Sequence, residues 1–216
     1  MKHLKSIIGT LVALGTIVYA GTACAKDGWA QFTPAYHTAE QRATLRMEGG
    51  STLTDGLSTY GFIDADATPE KPADLENFYA EARLNQNLGK ITPVLKPFGI
   101  AIEYNGGNGL EDIVRAGITF SPAIAAGNFT FVKFYPVETS GDKGLQLSMF
   151  TSQTLPYGFA TSILVDYNIT ADAAYAEQEI GFKVTPQVTL VGQSRLAVAE
   201  GMKPAISPAV GLRYAF

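Results

Sequence analysis

The sequence predicts an all-β fold, a transmembrane antiparallel up-and-down β-barrel of about twelve strands, with ten as the alternative. Three observations predict it. Hydrophobic residues make up 46% of the 216 and charged residues only 17%, below the roughly 25% charge of an ordinary soluble domain. After the first 25 residues, no apolar run approaches the roughly 18 residues that a membrane helix requires. Side chains instead alternate apolar and polar with a period of two, which places them on opposite faces of a strand. Lipid offers no partner to an open backbone, so strands that cross it must close into a barrel.

The first 25 residues stand apart. Lys2, His3 and Lys5 form a basic start, an apolar stretch runs from Ile7 to Ala20, and Ala23-Cys24-Ala25 places small residues at a cleavage position. Residues 1–25 therefore read as a secretory signal peptide and residues 26–216 as the barrel, destined for a bacterial outer membrane. Cys24 is the single cysteine. As a lipid acceptor it would need a larger aliphatic than Gly21 three positions earlier, so simple cleavage is the better reading. The exported chain then carries no thiol. It has 14 basic against 20 acidic residues, a balance of −6 that argues against a nucleic-acid partner.

The strands follow in order. The pattern places them at 29–37, 42–53, 57–66, 76–87, 95–105, 113–121, 128–136, 145–154, 158–168, 174–185, 188–198 and 206–216. Phe98, Ile100, Ile102 and Tyr104 alternate with Gly99, Ala101, Glu103 and Asn105, and Val210, Leu212, Tyr214 and Phe216 alternate with Gly211, Arg213 and Ala215. The segments are about ten residues long, the span of a tilted strand across an outer membrane. Aromatics such as Phe78, Phe98, Phe159 and Tyr167 sit near their ends and suit interfacial girdles, and Trp29 reads as an interfacial anchor. An even strand count puts both termini in the periplasm. Glu70, Asp74, Glu111, Asp112, Glu138, Asp142 and Glu200 then fall in or beside the outward connections, while the periplasmic ones carry only Asp55 and Lys90. The ten-strand alternative applies if the first segment is a plug or the weak strand after Asn128 is irregular.

Chemistry is sparse. His37 is the one histidine after the signal segment, with no recognisable serine motif near it, and reads as a surface or interface residue rather than a catalytic base. No His, Cys or carboxylate spacing suggests a metal site. Gly106-Gly107-Asn108-Gly109 follows a strand but opens no helix, so it is not a phosphate cradle. The chain reads as a non-enzyme without cofactor. The predicted lumen face carries Arg46, Glu48, Glu81, Arg83, Glu103, Arg115, Asp166, Glu177, Glu179, Lys183, Arg195 and Arg213, six of each sign, mostly in the outward half. The inward aromatic candidates are Tyr79, Phe134 and Phe150. Such a lumen can form a constriction that selects solutes by charge and hydrogen bonding. Mixed signs suit a neutral or zwitterionic solute better than a strong anion. Full pairing, for example of Glu177 or Glu179 with Arg195, would instead seal it and leave a structural or surface-binding barrel. Twelve strands give enough diameter for a narrow aqueous path.

Two resemblances add expectations. The terminal Phe216, closing a strand with Tyr214, resembles the assembly signal of outer-membrane proteins, which implies the barrel assembly machinery and outer-membrane lipid as partners. Tyr60-Gly61-Phe62-Ile63-Asp64, a polar loop, then Phe78-Tyr79-Ala80-Glu81-Ala82-Arg83-Leu84, together with the closing strand Gly211 to Phe216, resembles the nucleoside-specific outer-membrane channel family over about a quarter of the chain. That resemblance implies a twelve-stranded barrel and passive diffusion of a small polar solute, with nucleosides as the candidates.

Overall fold

The structure is a computed structural model that describes residues 27–67, 77–108, 110–122, 127–139 and 145–216. The predicted signal peptide, the possible lipidation at Cys24 and the acidic residues Glu70, Asp74 and Asp142 lie outside the described residues.

Twelve antiparallel strands close on themselves. They are β1 (Trp29–His37), β2 (Arg42–Thr54), β3 (Leu57–Ala67), β4 (Asn77–Asn87), β5 (Phe98–Gly107), β6 (Leu110–Phe120), β7 (Asn128–Glu138), β8 (Gln146–Thr154), β9 (Phe159–Asn168), β10 (Ala173–Lys183), β11 (Val188–Ala199) and β12 (Ala205–Ala215). Each strand pairs with its chain neighbours, and β12 returns to β1 through Phe32↔Tyr214 and Ala35↔Gly211. The first segment is thus a strand of the wall rather than a plug. The segment after Asn128 is also a strand of the wall, paired with β8 from Asn128↔Gln153 to Tyr135↔Gln146 and with β6 across a bulge between Ala116↔Val137 and Ile118↔Phe134, which removes the ten-strand alternative. Closure leaves no unpaired edge, the condition lipid imposes.

The start of β1 and the end of β12 lie at one mouth, here the terminal mouth, and the other is the distal mouth. The polarity is reversed relative to a soluble protein. Met47, Ile100, Ile102, Ile118, Val210 and Leu212 each stand more than half exposed on the outside. Glu103, Lys133 and Ser148 are buried on the inside. A soluble barrel with that exterior would hold a continuous apolar belt against water; in hydrocarbon the same belt is solvated. Aromatics edge it. The rings of Phe98 and Phe120 lie 5.1 Å apart and those of Phe159 and Phe182 lie 4.9 Å apart near the terminal mouth. Near the distal mouth the hydroxyls of Tyr104 and Tyr167 donate to Asp112 and Asp172, each at 2.8 Å. These are interfacial girdles, apolar on the belt side and hydrogen-bonded on the wet side.

Trp29 departs from its expected place. It shares the inward phase of Gln31 and lies opposite Gly50, where a Cβ would come within 3.2 Å of the indole Nε1. The missing side chain makes room for the ring on the lumen side, so Trp29 lines the terminal mouth from within and is not a lipid-facing anchor.

Candidate functional site

The lumen is built by the period of the strands. Every second residue points inward, so one charged position fixes the phase of its whole strand. Arg46, Glu48, Tyr79, Glu81, Arg83, Glu103, Arg115, Asp166, Glu177, Glu179 and Arg195 all occupy the inward phase. Arg42, Asp64, Asp66, Lys133 and Glu138 join them, though sequence reading did not select them. The signal was available. Asp64 lies opposite Arg46 and Asp66 opposite Thr44, and like phases face each other across an antiparallel pair.

Phase also corrects the aromatic set. Phe134 faces outward, level with Leu147 on β8, because its neighbours Lys133 and Tyr135 are drawn inward to Glu103 at 2.7 and 2.9 Å. Strand β7 carries aromatics on both faces, so alternation alone leaves its phase open. Lys133 decides it and turns Phe129, Phe131 and Tyr135 inward. Asp64 does the same for β3, carrying Tyr60 and Phe62 into the lumen. The inward rings are therefore far more numerous than Tyr79 and Phe150 alone.

Two polar networks occupy opposite walls. On one, Arg83 Nε donates to Glu103 at 2.9 Å and its Nη2 to Glu81, while Lys133 and Tyr135 also converge on Glu103. Arg115 is bonded to Glu138 at 3.3 Å. On the other, Arg46 forks onto Asp64 at 2.7 and 2.8 Å and reaches Glu177 at 2.8 Å. Arg195 lies 2.9 Å from Glu177 and 3.3 Å from Asp64. Arg46 belongs to β2 and Glu177 to β10, with β1, β12 and β11 between them, so this contact bridges the lumen rather than neighbouring strands. The expected pairing of Glu177 with Arg195 is present. Glu179 instead takes Arg213 and Gln193. Glu48 accepts from Gln31 at 2.7 Å and from Tyr60 at 3.0 Å.

Among the described residues, these networks leave a distal and a terminal cavity. The distal one, about 1110 Å³, is lined by Arg42, Asp66, Tyr79, Asn105, Arg115 and Tyr175 among others. The terminal one, about 600 Å³, is lined by Trp29, Tyr60, Phe129, Phe131 and Phe150 together with Glu48, Arg83 and Arg213. Arg46, Phe62, Glu81, Leu164 and Asp166 line both, and so form the waist where the cavities meet. Guanidinium groups lie over rings on this path, Arg46 4.9 Å from the Phe62 centroid and Arg83 5.3 Å from that of Tyr60. Flat apolar faces thus alternate with fixed charges along the lumen.

His37 is fully buried at the β1–β12 seam with its Nδ1 2.8 Å from Ser207 Oγ. Of the two places expected for it, surface or interface, the structure gives a buried position where two strands meet, beside a serine that no sequence motif marks. The pair meets only because the barrel closes. Among the described residues, neither lines the distal or the terminal cavity.

No family model matches the sequence and no curated protein matches it. Solved structures do. The chain is similar to the KdgM porin, with a TM-score of 0.58 and 10% identity over 87% of this chain and 99% of that one. It is similar to the NanC porin at a TM-score of 0.57 and 10% identity, covering 86% and 98%. It is equally similar to outer membrane phospholipase A from Escherichia coli, at 0.57 and 12% identity, covering 93% and 97%. At such identities the likeness is one of fold. The closed twelve-strand architecture with its apolar exterior is that of a bacterial outer-membrane β-barrel.

Proposed function

We propose that this barrel is an outer-membrane channel for passive diffusion of small polar solutes, with nucleosides within its range. The observation that carries the reading is the lumen itself: two cavities meeting at one waist, walled by rings and fixed charges. A water-filled path past hydrogen-bonding groups passes polar solutes, and the rings supply stacking faces for a planar base or the apolar face of a sugar. The KdgM porin has been solved with disordered oligogalacturonate. Here the lumen interleaves carboxylates with its cations, which suits a neutral or zwitterionic solute better than a polyanion. The aromatic terminal cavity supports the nucleoside resemblance drawn from Tyr60 to Leu84.

Swelling of proteoliposomes in a panel of nucleosides, monosaccharides and amino acids tests this. Nucleosides should enter faster than hexoses of similar mass, with single-channel current in planar bilayers. Absence of both swelling and current would remove the channel.

One observation favours a second reading. The Arg46–Glu177 bridge spans the lumen, and a lumen held shut there would leave a barrel with a structural or surface-binding role. Steady conductance steps from the unmodified protein exclude it.

A further inference from the structure

The lumen carboxylates differ in what satisfies them. Asp64 and Glu177 share Arg46, Glu103 holds Arg83 and Lys133, and Glu48 accepts two neutral hydrogen bonds. Asp166 is different. Its Oδ1 is shut from solvent and has no hydrogen-bond partner, and among the described residues no ion pair is formed by its carboxylate. Its cross-strand neighbours do not supply a donor. The Ser148 hydroxyl on β8 is bonded by Gln146 Nε2 at 3.0 Å and makes no bond to Asp166 Oδ1, and the hydroxyl of Tyr175 on β10 is donated to Glu177 at 2.8 Å. Yet Asp166 stands at the waist, where any solute crossing between the cavities must pass.

The Asp166 side chain as a whole is only half-buried and lines both cavities; a carboxylate so poorly satisfied is unfavourable, and a cation or a donor-bearing group that meets it from the lumen relieves it. Phe62 lines the same waist as a flat apolar wall under the Arg46 guanidinium. We propose that Asp166 is the binding point for passing solutes, holding cations and the hydroxyl or ammonium groups of ring-shaped molecules while Phe62 takes the ring face. The substrate class that follows is neutral or cationic hydroxylated rings, and anions are disfavoured. This rests on the channel reading and adds a direction to its selectivity.

The test is the reversal potential of the full barrel in a planar bilayer under a KCl gradient, with entry of glucosamine against glucose into proteoliposomes as the second readout. The unmodified channel should prefer potassium over chloride. Asp166→Asn should lower that permeability ratio at least about threefold and remove the advantage of glucosamine, whereas Asp166→Glu should keep both. A heat-dependent shift in gel mobility verifies that each variant is closed. If the unmodified channel and Asp166→Asn conduct with equal selectivity, the site is overturned and the channel stands. If the unmodified protein passes no current, both fall together.

Discussion

Glu103 is the most heavily engaged side chain in the lumen, with Arg83, Lys133 and Tyr135 all on one of its oxygens and Asn105 on the other. Removing a partner from such a buried cluster costs about 3–5 kcal/mol, because it leaves cations without their anion. Glu103→Ala should therefore lower stability by about that amount, measured as the urea midpoint of the barrel refolded in vesicles with Trp29 fluorescence as the signal. Arg115→Ala should cost less, since it takes one cation from the buried side chain of Glu138 and only a 3.9 Å contact from Glu103, which keeps Arg83 and Lys133. Ring residues give a second test at this scale. Tyr60 and Phe131 both lie under Arg83. A lost aromatic contact is worth about 0.5–1.5 kcal/mol, so Phe131→Ala should slow adenosine entry about two- to tenfold while glycerol entry is unchanged or faster. Equal slowing of both solutes would make Phe131 a packing residue only. Most lumen charges were legible because each sits in an otherwise apolar alternation. Lys133 and Phe134 were not, since aromatics on both faces of β7 left only the location of its ion-pair partner to set the phase.

At the scale of elements, the seam between β1 and β12 is where the barrel depends on close backbone approach. A Cβ on Gly211 would fall 2.4 Å from the Pro34 carbonyl oxygen and 3.0 Å from the Ala35 Cα. Gly211→Val should block closure and sharply lower the yield of the heat-modifiable form, while Val210→Leu, one residue away on the lipid face, should be neutral. Folded yields from parallel refolding reactions compare the two directly. The terminal strand contributes a further contact: Phe216 donates its backbone N–H to the Ala30 carbonyl at 3.1 Å, and its ring lies 4.9 Å from Tyr214. We propose that the mostly exposed Phe216 ring is what the barrel assembly machinery reads. Deleting Phe216 should then reduce insertion in cells far more than refolding into detergent. All twelve strands were legible to within about three residues because lipid outside and charge inside enforce strict alternation. The short turns Leu88–Lys90, Pro93–Leu95 and Pro156–Gly158 carry no such alternation and gave no comparable signal.

For the whole molecule, the waist residue Arg46 is bonded across the lumen to Glu177. Glu177→Ala alone leaves Arg46 held by Asp64, so the guanidinium stays on its own wall and the bridge is gone. Single-channel conductance should rise about twofold, in line with a wider polar constriction. An unchanged conductance would place the narrowest point elsewhere along the lumen.

The sequence by itself determined the class of fold and narrowed the strand number to twelve or ten, because a period of two, a low charge and the absence of membrane helices admit few other solutions in lipid; closure of all twelve strands settled the count. It also placed many of the inward charges, since those residues cannot face hydrocarbon, but it left Asp64, Asp66 and Lys133 unassigned. Only the tertiary structure decided what those charges do. Whether Arg46 meets Asp64 beside it or Glu177 across the lumen depends on closure, which brings β2 and β10 face to face from 131 residues apart. Closure likewise brought His37 to Ser207 and left Asp166 without a donor at the waist, because strand phase fixes where a side chain points and only the closed ring fixes what it meets.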